Sequence, residues 1–131
     1  MNRRTSVLLL VFLIVVVGTA LAVGLMGGQT ASGTCHANGK VTAYRVVIRD
    51  GKVPSNHVQG KQCDTLTITN NDTLTREIAF GPHERHVAYD GVAERLLSKG
   101  QSLTVTLDKT GSFHWHDHLH DEVEGYFTVS K

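Results

Sequence analysis

Residues 102–130 read SLTVTLDKTGSFHWHDHLHDEVEGYFTVS, two alternating runs around a histidine-rich centre. Their period of two decides the fold class. Leu103, Val105 and Leu107 share one face of a strand while Thr104 and Thr106 take the other. That is the pattern of a strand with one face in a core and one in water. Phe113 and Trp115 likewise share a face, which turns His114 and His116 to the opposite one. At the end of the run Phe127 and Val129 oppose Tyr126 and Thr128, and the first pair is the core pair.

Further upstream, residues 64–70 (DTLTITN) repeat the alternation, with Leu66 and Ile68 against Thr65, Thr67 and Thr69. Residues 41–49, 75–80, 102–108, 112–116 and 124–130 also suit strands. Asp50-Gly51, Asn70-Asn71-Asp72 and Lys109-Thr110-Gly111 supply turn residues between them. Residues 92–98 (VAERLLS) read as one or two turns of helix. Six or seven short strands in residues 41–131 predict an antiparallel β-sandwich without internal repeats.

The 131 residues suffice for one domain with a short appendage. Residues 7–26 carry no charge and are long enough to span the ~30 Å bilayer core as a helix. Arg3 and Arg4 precede them and no Lys or Arg follows until Lys40, so the amino terminus is expected inside and the remainder outside the cytoplasm. A cleaved signal peptide is the competing interpretation, with small residues at 19–22 or 29–32. The expected organisation is a cytoplasmic stub and anchor at 1–26, a Gly/Ser/Thr-rich tether at 27–40, and a domain at 41–131. Either way the domain faces the periplasm or cell surface. There, Cys35 and Cys63 are expected to form a disulfide, worth about 3 kcal/mol on a chain-entropy model. With Arg3 and Arg4 set aside, 11 Lys and Arg face 12 acids, and no basic run argues for nucleic acid.

Eight histidines are the unusual feature, in two clusters: His83-Glu84-Arg85-His86, and His114, His116, His118 and His120. Alternation places His114, His116 and His118 on one strand face, where two or three imidazoles reach one ion. Neutral imidazole suits copper, zinc, nickel or iron. A lone histidine is more often a surface or hydrogen-bonded residue, and His36 and His57 are assigned that way. Other chemistries lack a motif: there is no G-x-S-x-G elbow, no H-E-x-x-H and no phosphate loop. Asp121, Glu122 and Glu124 suit a solvated acidic turn as well as an auxiliary role at a hydrolytic metal.

Residues 44–51 (YRVVIRDG), 64–72 (DTLTITNND) and the closing hairpin from Gly111-Ser112-Phe113 to Gly125-Tyr126-Phe127-Thr128-Val129 resemble the cupredoxins. The resemblance covers residues 41–131 and implies a Greek-key β-sandwich with metal-binding loops at one end. The family's blue site uses two His, one Cys and usually a weak Met. Here Arg76 stands where the first His is expected and Asp117 where the thiolate is expected. His120 matches the second His, and no Met follows it. A closer likeness is to membrane-tethered, cysteine-less cupredoxin-like proteins of bacteria, through His83-Glu84-Arg85-His86 and Trp115-His116-Asp117-His118-Leu119. That likeness nominates His83, His86, His116 and His118 as metal ligands, with His114 and His120 as extras and Asp117 as a residue that orients one imidazole.

The expectation is therefore an all-β, Greek-key cupredoxin-like sandwich behind one transmembrane helix, with a copper ion in an all-histidine, non-blue site and zinc as competitor. Its role is copper binding, storage or delivery rather than enzymatic, with a copper-delivery or redox protein as partner. Two alternatives stand beside it. One is electron transfer to a membrane oxidase, the other a metal-free interaction module on the same fold.

Overall fold

In the computed structural model, Cys35 and residues 39–131 are described. The predicted anchor at 1–26, the tether to residue 38 apart from Cys35, and His36 lie outside the described residues. The alternating runs form eight strands: β1 (Ala43–Ile48), β2 (His57–Lys61), β3 (Thr65–Asn70), β4 (Arg76–Phe80), β5 (Glu94–Leu97), β6 (Ser102–Thr106), β7 (Gly111–Asp117) and β8 (His120–Ser130). They make two sheets, β1-β3-β6 and β2-β8-β7-β4-β5. The inward faces are the predicted ones. Leu66, Ile68, Leu103, Val105 and Leu107 from one layer meet Ile78, Phe80, Trp115, Phe127 and Val129 from the other. Outside, Thr67 and Thr104 hydrogen-bond across the smaller sheet.

Three expectations change. Residues 94–97 are a strand and not a helix, because one or two helical turns cannot repay nucleation while β4 offers a ladder partner. β2 has one buried apolar residue, Val58, so its sequence carries little strand signal. The sandwich is also not wholly antiparallel: β1 pairs parallel with β3 and β2 parallel with β8. Both follow from one crossover, since β2 leaves its neighbours in sequence to join the other sheet.

Two local devices fix the strands that carry the histidines. Trp115 lies opposite Gly125 in the β7–β8 ladder. A Cβ on that glycine would sit 2.6 Å from the indole, so only glycine lets the ring lie flat there. At the same end of the sandwich, Arg76 is buried between two aspartates, with Nη2 donating to Asp72 at 2.7 Å and Nη1 to Asp117 at 2.9 Å. Asp72 also accepts the amides of Asp50 and Gly51. Those residues have φ of 54° and 64° and form the tight turn between Arg49 and Lys52, a type I′ geometry.

Cys35 and Cys63 are free thiols and not the expected disulfide. They are nevertheless in hydrogen-bond contact, and that bond together with desolvation pushes the Cys35 thiol up to about 11. Cys63 belongs to the β2–β3 turn, where Gln62 donates to the Ser130 carbonyl. The pair thus lies at the far end of the 11-residue β8 from His120, roughly 30 Å at 3.3 Å per residue.

Removing one member of a buried ion pair leaves an uncompensated charge, so Arg76→Met is expected to destabilise the fold by about 3–5 kcal/mol in denaturant unfolding. Asp72 is desolvated, yet the amides of Gly51 and Asp50 and the Arg76 guanidinium together hold its carboxyl below 3.8. A depressed carboxyl contributes stability that is fully present above its ordinary value and lost as pH falls through the depressed one. Acid titration of stability should therefore steepen below about pH 4, and Asp72→Asn should flatten that limb.

Candidate metal centre

β7 carries the second histidine cluster, and its alternation turns Trp115 and Asp117 inward and His114 and His116 outward. His116 is nonetheless only 2% exposed, because the β4–β5 connection folds back over that face. Gly81 begins the fold-back with φ 87°, its amide donating to the His114 carbonyl; the Val87 amide donates to Phe80 and the Arg85 amide to Pro82. A side chain on Gly81 would press on the Val87 backbone at 3.0 Å, so the reversal needs glycine. The turn at residues 82–85 places His83 and His86 against His116 and His118.

The two clusters meet. Ligand nitrogens of His83, His116 and His118 all lie within 4.8 Å of one another. Nitrogens bonded to one ion at about 2.0–2.1 Å are at most about 4.2 Å apart, so a small rotation of the rings closes the set. The His86 ring lies 4.7 Å from that of His118 and 5.3 Å from that of His116. All four nominated imidazoles therefore share one locus.

Their hydrogen bonding is lopsided in an informative way. His83 Nδ1 is 3.0 Å from Asp121, and His86 Nδ1 contacts the Glu94 carboxylate. His86 Nε2, His118 Nδ1 and both nitrogens of His116 are buried without a hydrogen-bond partner among the described residues. An unsatisfied buried polar atom costs about 1–3 kcal/mol; each neutral ring offers one lone pair, so three such rings at one locus call for a shared acceptor of lone pairs. A divalent or monovalent metal ion fits that donor set. Burial, then the neighbouring imidazoles of His114, His86 and His83, push the His116 pKa below 6.5. The deepest ring is thereby kept neutral, as a metal ligand must be.

The extras are committed elsewhere. His114 places Nδ1 3.2 Å from the Gly81 carbonyl and Nε2 2.9 Å from Glu124. His120 Nδ1 is 3.2 Å from Asp117. Asp117 orients none of the four nominated rings, contrary to expectation, since its oxygens serve Arg76, His120 and the amides of Glu77 and Leu119. Carboxylates that do support nominated rings are Glu94 and Asp121. Glu94 lay in the supposed helix, and its place becomes visible only from the ladder, in which Glu94 pairs with Ala79 and Ala79 with His116. His57 is an exposed residue bonded to Thr128, as expected.

No protein-family model and no curated protein matches the chain. Solved structures do match. A copper(I) form of an amicyanin variant aligns at 24% identity over 67% of this chain and 82% of its own, with a TM-score of 0.55. Another reduced amicyanin variant aligns at 21% identity over 72% and 88%, with a TM-score of 0.57. A purple cupredoxin from Nitrosopumilus maritimus aligns at 17% identity over 66% and 99%, with a TM-score of 0.58. The described domain has the cupredoxin-like fold, and a three-histidine cluster with a fourth ring beside it.

Carboxylates behind metal-binding histidines typically set about 10–100-fold in affinity. Glu94→Ala is therefore expected to weaken Cu(II) or Zn(II) binding by about that factor in calorimetric titration. Glu94→Gln, which keeps an acceptor for His86 Nδ1, should lose less.

Proposed function

We propose that this domain binds a copper ion through His83, His86, His116 and His118, and that it serves as a copper-binding, storage or delivery protein outside the cytoplasm, anchored by residues 7–26. The observation that carries the proposal is the convergence of four imidazoles on one locus of a cupredoxin-like fold, three of them, His86, His116 and His118, with buried nitrogens that lack partners. Copper in the amicyanin neighbour supports the choice of metal. Imidazole donors without a thiolate suit Cu(II), and zinc is the natural competitor. Cys35 and Cys63 sit at the opposite end of β8, so the site is non-blue. Delivery is favoured over catalysis by the exposure of one ligand: His83 has a side chain 47% exposed on a loop, where ligand exchange begins without unfolding the core.

Electron transfer is the second reading. A column of rings supports it, with His116 stacked on His114 at 5.3 Å and His114 on the exposed Tyr126 at 4.8 Å. A reversible potential with rapid reduction by a small donor would select this reading. Sluggish exchange would select delivery.

The test is titration of the metal-free full chain with Cu(II), followed by visible and electron paramagnetic resonance spectra. One tight equivalent with nitrogen hyperfine structure and no intense blue band is expected. His116→Ala/His118→Ala should lose at least about 100-fold in affinity, a two-ligand loss compounding the tenfold-per-1.4 kcal/mol scale. Unchanged affinity in that variant overturns the site. Absence of stoichiometric binding in the parent leaves the fold as a metal-free interaction module.

A further inference from the structure

We propose that Asp117, held by Arg76, is the positioning residue of the histidine centre, acting through the backbone of the β7–β8 hairpin and not through any ligand ring. This rests on the four-histidine reading above and adds to it the element that sets the ligand geometry. Asp117 is wholly buried and lies between His116 and His118. It closes a two-residue hairpin, with His118 and Leu119 at the tip and Asp117 paired to His120.

Four contacts converge on its carboxylate. Oδ1 accepts the Glu77 amide at 2.9 Å and the Leu119 amide at 3.1 Å. Oδ2 accepts Arg76 Nη1 at 2.9 Å and lies 3.2 Å from His120 Nδ1. The Leu119 contact is an Asx-type turn, in which the side chain replaces a backbone acceptor two residues ahead. The Glu77 contact is reciprocated, because the His118 amide donates to the Glu77 carbonyl at 2.7 Å. The hairpin tip is thus clamped to the start of β4 by one side-chain and one main-chain bond. His116 is the last ladder residue before the register shift, paired with Ala79 and Glu124, and His118 sits on the tip.

The same clamp shapes the partner strand. Between His116/Asp117 the register jumps from Glu124 to His120, so residues 121–123 bulge out of β8. Bulges re-aim side chains, and here the bulge presents Asp121 to His83. Arg76 matches the charge of a carboxylate that has no water to solvate it, since breaking a buried pair strands the remaining charge. Asp117 therefore sets the position of His118 directly and that of His83 through Asp121.

The experiment compares the parent full chain with Asp117→Ala, Asp117→Asn and, as a destabilised control in the other sheet, Leu103→Ala. Each is titrated with Cu(II) and examined by electron paramagnetic resonance and thermal unfolding. Asp117→Ala is expected to weaken Cu(II) affinity by about 10-fold or more and to alter the nitrogen hyperfine pattern. Leu103→Ala should lose thermal stability while keeping both affinity and spectrum. Asp117→Asn retains an oxygen for the Glu77 and Leu119 amides and should recover most of the affinity. Parent-like affinity and spectrum in Asp117→Ala, or an equal loss in Leu103→Ala, overturns the proposal. If Asp117→Ala does not fold, Arg76→Met/Asp117→Ala, which leaves no stranded guanidinium, takes its place in the same comparison. If the parent binds no Cu(II), the copper reading fails separately, and amide exchange in metal-free protein decides the positioning role. Selective loss of protection at His118 and Leu119 in Asp117→Ala, or in Arg76→Met/Asp117→Ala, supports it, and uniform loss across the sheets refutes it.

Discussion

A guanidinium buried between two carboxylates is the constraint on which the histidine-bearing end of this sandwich depends. Arg76 reaches Asp72 on one side and Asp117 on the other, and each aspartate organises a different turn. Asp72 collects the amides of the β1–β2 turn. Asp117 collects those of the β7–β8 tip and of β4. The ion pair therefore ties three connections, from both sheets, to one cation. Buried charge pairs contribute little net stability against an apolar replacement of the same shape. The gain here is registration. A leucine in place of Arg76 would fill space, but it could not fix where two carboxylates, and the four amides they accept, must lie.

The imidazole cluster is costly to fold without a ligand, and its surroundings explain how that cost is tolerated. Four buried ring nitrogens lack partners, while the outer nitrogens of His83 and His86 are taken by Asp121 and Glu94. Those carboxylates sit on the rim, where they remain solvated, so they orient the rings without adding buried charge. The hydrogen bond from His86 also holds the exposed Glu94 carboxyl below 4.5, so it stays ionised and available as an acceptor. His116 has no carboxylate, and burial keeps it neutral. The arrangement favours an ion that accepts neutral nitrogen donors over one that needs hard oxygen ligands.

Much of this was legible in the sequence, and the gaps have physical causes. Period-two alternation identified the core faces of β3, β6, β7 and β8, because one-sided burial writes itself into every second residue. It could not identify β2 or β5. HVQGK and ERLL bury one apolar residue or two at most, and their strand character comes from ladder partners remote in the chain. The four histidines were legible as types and spacings. Their meeting was not, since it depends on Gly81 reversing the chain over β7. Glu94 was hidden for the same reason as β5. Asp117 was correctly singled out, but as a partner of a ring, because sequence shows that a carboxylate is near two histidines without showing that its oxygens turn inward to Arg76.

The gradient of burial across the four rings bears on what such a site is for. His116 is sealed and His83 is half in solvent, and the His83/His86 pair rides on a loop held by a few backbone bonds. The strand-borne pair is held by the Asp117 clamp. An electron-transfer centre gains from ligands that hold one geometry in both oxidation states, because every displaced atom adds to the reorganisation that accompanies each electron. A centre that must release its ion gains from the opposite: two ligands fixed by the scaffold and two that can leave in sequence, the exposed one first. The proposed delivery role would use the second arrangement, with the strand-borne rings fixed and the loop-borne rings free to leave. The stacked His114 and Tyr126 offer a path for charge, but stacking alone does nothing to stiffen the loop-borne pair. For that reason the asymmetry between a clamped hairpin and a folded-back loop supports the proposed delivery role over the electron-transfer one.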